Sequence, residues 1–376
     1  MEYKDLEPAM LAEFEDYEHH HKVRFFDDAK TGLKGCIAIH SINLGPALGG
    51  CRFYNYQTEN DAIRDVLRLS RGMTYKNALA GLPLGGGKSV ILGNPREDKT
   101  QELMQAMGEA VQTLDGDYIS AEDSGTNEDD MAAMRKNTQY VMGVSAEEGA
   151  LGGDPSPVTS YGVYCGIKAA LNKKYGTKDM SGLSVAVQGL GSVGYELCRL
   201  LDEQGAELFV TDINQHVLEQ AQQDFENVHI VGLEDIFSCD AKVFSPCALG
   251  AQLNSETIPQ MSFEIIAGAA NNQLAKPEDD QRLADKGILY APDYAINAAG
   301  VIAVCYEYLE QSGLNPFSYE LTRENMFTHV EQIESTLDKI FNIAEARNIT
   351  PGRAADELAE AIFNGNGAAN KSKGVA

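Results

Sequence analysis

Two lysines and one acidic run carry the residue types that move protons. Lys76 sits in MTYKNA and Lys88 in GGGKS, twelve residues apart. The run Tyr118–Thr126, YISAEDSGT, sets Glu122 and Asp123 between a short strand and a glycine-containing turn. Taken singly, each lysine reads as a solvated surface charge. The stretch LPLGGGKS at 82–89 also invites a phosphate-loop reading. That pattern needs a glycine at position 82, where Leu82 stands, so the backbone cradle lacks its first hinge.

A second glycine motif has its full context. Gly189-Leu190-Gly191-Ser192-Val193-Gly194 matches G-x-G-x-x-G, follows the apolar run Leu183–Val187 and opens a helical pattern of Val193, Leu197, Leu200 and Leu201. A further strand, Leu208–Val210, leads to Asp212, 18 residues after Gly194. The glycines let a pyrophosphate approach the backbone at a helix N-terminus, where its charge is stabilised. Asp212 can accept hydrogen bonds from an adenosine ribose and would repel a 2′-phosphate, which favours NAD over NADP. The other readings are a tight turn for the glycines and a helix cap for Asp212. With a nicotinamide cofactor, Lys76, Lys88 and Asp123 become candidates for holding a substrate and carrying its protons.

The elements that position these groups are legible in outline. Residues 34–40 read as a strand, and Leu44–Gly50 is too glycine-rich for regular structure. Thr58 can cap a helix whose apolar positions Ile63, Val66, Leu67, Ser70 and Met73 repeat at helical spacing to about Lys76. The glycines 85–87 read as a loop before a strand at 89–92. After GALGGDPSPVTS (149–160) comes a helix at 161–174, then short apolar strands at 183–187, 208–210, 243–245, 265–267 and 288–290. Strands alternating with helices predict a parallel sheet covered on both faces. Met326, Val330, Ile333, Leu337, Ile340 and Ala344 form one stripe of a long helix, and Thr350-Pro351 starts another to about Phe363.

The chain has 376 residues, with 30 Lys and Arg against 56 Asp and Glu, a net charge of −26. That balance speaks against nucleic acid and anionic membrane as partners. No apolar run is long enough to span a bilayer, and the acidic start lacks a secretory signal. Seven cysteines, without a C-x-x-C pair, fit a reducing, cytoplasmic setting. The cluster His19-His20-His21 reads as a polar surface segment, and no metal site is expected.

The runs LGPALGG, RGMTYKNALAGLPLGGGKS, AEDSGT, PSPVTSYGV, GLGSVG, VTDIN, PCALGAQLN, AGAANNQL and APDYAINAAGV occur in order from about residue 30 to about 305. On these, the chain resembles the amino-acid dehydrogenases acting on glutamate, leucine, valine and phenylalanine, most of all the leucine enzymes. The resemblance implies two α/β domains separated by a cleft. One is a substrate-binding and oligomerisation domain, 1–145, with a central sheet. The other is a Rossmann-type NAD domain, 146–324. Helices at about 325–363 would pack back on the first domain, and 364–376 would be a flexible tail.

It further implies that Lys76 binds the substrate α-carboxylate, that Lys88 activates water, and that Asp123 exchanges protons with the amino group. Burial beside Lys76 would ease proton loss from Lys88. Thr159, Asn272 and Asn297 fall where the family contacts nicotinamide or substrate. The positions that recognise glutamate correspond to Leu48 and Val304, so the pocket, with Gly49, Ala121 and Val301, should be apolar. Ala121 argues against phenylalanine by one methyl group.

The expected reaction is NAD-dependent, reversible deamination of an aliphatic L-amino acid such as leucine, valine or isoleucine to a 2-oxo acid and ammonium. A large-side-chain amino-acid dehydrogenase and a non-catalytic NAD sensor are the alternatives. The expected assembly is a homo-oligomer, from dimer to octamer. Ala299, Ala303 and Cys305-Tyr306 depart from the leucine-enzyme pattern around the pocket.

Overall fold

The computed structural model describes residues 1–144 and 150–371. The chain divides into two compact units. The first comprises 1–154, 303–322 and 359–376, the second 155–302 and 323–358. The boundary expected near 145 falls beside residues 145–149, outside the described residues, as does the end of the expected tail, 372–376.

The first unit is built on strands β1 (Glu2–Asp5), β2 (Lys22–Asp28), β3 (Leu33–Ser41), β4 (Ala47–Tyr54), β5 (Gly85–Leu92) and β6 (Tyr118–Glu122), with helices α1 (Pro8–Leu11), α2 (Glu59–Leu79), α3 (Gln101–Gln112) and α4 (Glu128–Arg135). The sheet order is β1-β2-β3-β5-β4-β6. Pairing is antiparallel from β1 through β5, then parallel for β5-β4 and β4-β6. Ala62, Ile63, Val66 and Leu67 of α2 pack with Cys36, Ala38 and Val90 on one face. Ile37, Ile39, Ala47, Cys51, Phe53 and Ile91 pack with α3 and α4 on the other. Thr58 caps α2 by accepting from the Asp61 amide at 3.1 Å, a contact typically contributing about 1 kcal/mol.

Two expectations about glycine are corrected here. Ala47–Gly50 lies in β4 and Gly85–Gly87 in β5, not in loops. None of Gly85, Gly86 and Gly87 has positive φ; they are needed for close approach. A Cβ on Gly86 would lie 2.0 Å from the Thr74 amide nitrogen of α2.

The second unit carries α5 (Ser156–Tyr175), α6 (Ser192–Asp202), α7 (Gln215–Asp224), α8 (Glu278–Asp285) and α9 (Asp293–Ile296) around a sheet of β7 (Ser184–Gln188), β8 (Glu207–Thr211), β9 (Val228–Ile230), β10 (Val243–Pro246), β11 (Ile265–Ile266) and β12 (Leu289–Tyr290). The order β12-β11-β10-β7-β8-β9 is parallel throughout. It is the doubly wound sheet anticipated from the apolar runs, with β9 as the unanticipated edge.

Three helices complete the chain: α10 (Ala299–Ser312), α11 (Arg323–Arg347) and α12 (Pro351–Lys371). All six stripe residues of α11 are buried. The stripe faces α5, since added Cβ atoms on Gly162 and Gly166 would meet Ile333 and Leu337. So α11 belongs to the second unit and not to the first. Periodicity reveals that a face is covered without revealing by what. Residues 303–322 likewise group with the first unit. From residue 359 α12 groups with the first unit, and its Glu360 accepts from Tyr75 Oη at 2.8 Å. The helix also runs through 364–371, where a flexible tail was expected.

His20 is corrected too. It is buried against Tyr17 and His40, with Nε2 3.0 Å from the Leu67 carbonyl. Burial drops its pKa to about 4, and that of His40 to about 3. Among the described residues no cluster could hold a metal, and no helix is long and apolar enough to cross a membrane.

Candidate active site

In the first unit, β4, β5 and β6 bring Lys88 and Asp123 together. Val90 faces α2, and strand alternation turns Lys88 and Gly86 to the same side. Lys88 is buried, and its Nζ contacts Asp123 Oδ2 as an ion pair. Asp123 follows β6 directly. Its Oδ1 accepts from the Ser124 amide at 2.6 Å, and its own amide donates to Thr126 Oγ1 at 3.0 Å. Thr126 in turn donates to the Cys51 carbonyl at 2.9 Å, tying the turn to β4. Gly50 makes room for the pair: a Cβ there would lie 2.7 Å from Asp123 Cβ and 3.3 Å from Lys88 Nζ.

Burial alone would raise the pKa of Asp123. The charges of Lys88 and Arg52 outweigh it and hold the carboxyl at about 2. Asp123 therefore remains ionised across the neutral range. Arg52 was missed from sequence. The available signal was a cation two residues beyond Gly50, on the face of β4 that Leu48 and Gly50 share.

Lys76 lies half-buried in the last turn of α2. That turn is fixed over the strands by its neighbour Asn77, whose Nδ2 donates to the Gly85 carbonyl at 2.6 Å and lies 3.5 Å from that of Leu48. Leu48 pairs with Gly86, and Ala121 with Gly50. Period-2 alternation places Leu48, Gly50 and Ala121 on the face that carries Lys88. Gly49 is packed shut, since a Cβ there would meet the Gly87 carbonyl oxygen at 1.8 Å. On α10, Val301 and Val304 are half-buried.

The second unit holds the glycine fingerprint. Gly189 has φ +96°, turning the chain between β7 and α6. A Cβ on Gly194 would lie 2.0 Å from the Gly189 carbonyl oxygen, so the third glycine lets α6 press against the turn. Gly191 differs: a Cβ there would meet nothing within 4 Å. It stands at the N-cap of α6, where no side chain caps the helix, with Ser192 exposed and Val193 half-buried beyond it. Open space over uncapped amides suits a pyrophosphate. Asp212, after β8, accepts from the Leu190 amide at 2.7 Å and the Asn214 amide at 2.8 Å. It supports the turn and also caps the next segment, and its lone pairs leave room for a ribose hydroxyl.

Asn297 is buried beyond α9. Its Nδ2 donates to the Ala269 carbonyl and to Asn271 Oδ1, both at 2.9 Å, while its Oδ1 has no partner. A buried amide oxygen without a donor is costly unless a ligand supplies one. Asn272 has φ +51°, held by its amide donating to Asp293 Oδ2 at 2.5 Å. Thr159 Oγ1 donates to the Pro155 carbonyl, and an added Cβ on Gly300 would lie 2.9 Å from it.

Comparison with known proteins adds the following. The family model described as "Glu/Leu/Phe/Val dehydrogenase, dimerisation domain" matches residues 17–140. The model described as "Glutamate/Leucine/Phenylalanine/Valine dehydrogenase" matches 206–362. Leucine dehydrogenase of Geobacillus stearothermophilus is 48% identical over 92% of this chain and 90% of its own length. L-tryptophan dehydrogenase of Nostoc punctiforme is 45% identical over 95% of this chain and 97% of its own. The crystal structure of a Nostoc punctiforme L-tryptophan dehydrogenase superposes with a TM-score of 0.81 at 42% identity, covering 95% of this chain and 98% of that one.

Proposed function

Since the chain belongs to the Glu/Leu/Phe/Val dehydrogenase family, we propose that it oxidatively deaminates an aliphatic L-amino acid, leucine, valine or isoleucine, with NAD⁺. The observation that carries the reading is the buried Lys88–Asp123 ion pair, on a strand face shared with Leu48 and Ala121 and below the helix turn bearing Lys76.

The second unit is the proposed cofactor domain. Gly189, Gly191, Ser192, Val193 and Gly194 would hold the pyrophosphate and Asp212 the adenosine ribose. Thr159, Asn272 and Asn297 would serve the nicotinamide or the substrate, with the Asn297 oxygen accepting a hydrogen bond. When bound, the nicotinamide accepts a hydride from the amino acid Cα. The carboxylate at Asp212 is the reason for choosing NAD over NADP.

The first unit is the proposed proton machinery. The Lys76 ammonium would hold the substrate α-carboxylate. Asp123, ionised at neutral pH, would take a proton from the substrate ammonium so that the neutral amine can release hydride. Lys88 would deprotonate the water that attacks the iminium carbon. Return of a proton to nitrogen would then let the carbinolamine collapse to the 2-oxo acid and ammonium. Leu48, Ala121 and Val304 offer no partner to a side-chain carboxylate, and burying one unpaired would be expensive. Glutamate is therefore a poor fit.

The match to the dimerisation model supports a homo-oligomer, from dimer to octamer. Seven free thiols, five of them buried, support a cytoplasmic setting. Similarity to tryptophan dehydrogenases favours one second reading, a pocket for a large aromatic side chain.

The test is an amino-acid panel followed by NADH absorbance. Leucine, valine and isoleucine should be the best substrates and glutamate far poorer. Preference for tryptophan or phenylalanine would select the second reading, and preference for glutamate would overturn the pocket argument. Silence across the panel with NAD still bound would point to a sensor.

A further inference from the structure

The Lys88–Asp123 pair does not stand alone. Arg52, on β4, approaches the same Asp123 oxygen that Lys88 contacts, with Nε 3.7 Å from Oδ2. That Nε is buried and has no hydrogen-bond partner. The other end of the guanidinium is fixed, because its terminal nitrogen donates to Asp65 Oδ2 on α2 at 2.9 Å. Asp65 is itself clamped. Tyr56 Oη donates to the same oxygen at 2.7 Å, and Arg68 donates to Oδ1 at 2.8 Å. A planar fork with donors on separate edges holds the two acids in fixed directions, whereas an ammonium is a compact point charge.

We propose that Arg52, braced by Asp65, is a positioning residue of the proton-transfer pair: its guanidinium is the permanent counter-charge that keeps the Asp123 carboxylate in place and ionised while Lys88 gains and loses its proton. The inference rests on the dehydrogenase reading for its kinetic test. When Lys88 gives up its proton, Lys88, Asp123 and Arg52 together pass from a net charge of +1 to 0. Asp123 then loses one of its two cations, and the one that remains cannot be deprotonated. Arg52 Nε, which has no hydrogen-bond partner, lies 3.7 Å from the oxygen that Lys88 contacts. Without Arg52, a buried carboxylate beside neutral Lys88 would draw the proton to itself, and the amino group would lose its acceptor.

The other ionisable groups around Asp123 leave a readable pH signature. Cys51 on β4 is pushed up to about 12 by burial, and burial holds Tyr118 on β6 and Tyr56 above the ordinary phenol value, so all three stay neutral. Burial and acidic neighbours raise exposed Glu122, which makes it the group to control for.

The experiment compares Arg52→Gln, Arg52→Lys, Asp65→Asn and Glu122→Gln for kcat, KM, NAD affinity and pH profile, with Arg52→Gln repeated in an Asp123→Asn background. Arg52→Gln should lower kcat about 10- to 100-fold. The loss should deepen toward acid pH, while NAD affinity and amino-acid KM stay near normal. Arg52→Lys should fall between Gln and wild type, Asp65→Asn should act in the same direction more weakly, and Glu122→Gln should leave the profile unmoved. In the Asp123→Asn background the Arg52 effect should vanish. A wild-type pH profile in Arg52→Gln, an equal loss with and without Asp123, or reproduction of the acid effect by Glu122→Gln would each overturn the proposal. If the wild-type protein deaminates no amino acid, the dehydrogenase reading fails instead. The Arg52–Asp123 coupling is then read by a double-mutant cycle of urea unfolding, where additive effects would overturn it.

Discussion

The two glycine motifs look alike in sequence and are used in opposite ways. In GGGKS the missing side chains are replaced by protein: the Thr74 backbone fills the space above Gly86, and Tyr118 fills that beside Gly87. This closeness seats Lys88 in a buried strand. In GLGSVG the space at Gly191 is left open over the start of α6. Glycine in the first unit excludes solvent from a charge. Glycine in the second leaves room for one. A glycine-rich string therefore says only that a Cβ is unwelcome, and the neighbouring elements decide whether chain or ligand takes its place.

The comparison breaks most easily at the residue that the first motif buries. Lys88→Ala should reduce kcat by about 10³-fold, within the range of general acid–base contributions, while NAD affinity measured by fluorescence titration stays within a few-fold. Near-normal turnover would remove Lys88 from the chemistry. A matched pair of alanines sharpens the contrast. Gly86→Ala drives a methyl group into the α2 backbone and should destabilise the fold by about 3 kcal/mol or more, seen as a lowered urea midpoint. Gly191→Ala should leave the midpoint unchanged and weaken NAD binding by about 1.4–2.8 kcal/mol, ten- to a hundredfold. Equal effects of the two on stability would dissolve the distinction.

The second unit was the more legible half. Its inner strands β7, β10 and β11 are short, mostly apolar runs buried on both faces, and helices alternate with the strands, so the doubly wound sheet follows from pattern. In the first unit β4 and part of β5 were hidden, because glycine carries no strand preference to read. The partner of α11 was hidden for another reason, since a stripe of apolar residues is compatible with any apolar face. Lys76, Lys88 and Asp123 stood out by type and by resemblance. Their geometry did not, because the Lys88–Asp123 contact spans 35 positions and depends on the β4-β5-β6 order. Arg52 drew no attention beside the conspicuous lysines. His20 was lost among three consecutive polar letters, although only the middle one turns inward.

That inward histidine also bears on how the protein meets acid. His20 and His40 are kept neutral in the folded chain by burial, at about 4 and about 3, whereas an open chain binds protons at the ordinary imidazole value. Each group's folded value lies below its unfolded one. Acidification below about 6.5 therefore feeds protons preferentially to the unfolded ensemble, and the drain on stability continues until the folded values are passed. The edge-to-face pair of rings between β3 and α2 thus acts as a latent acid fuse, one that begins to give way well above the pH at which Asp123 would lose its charge.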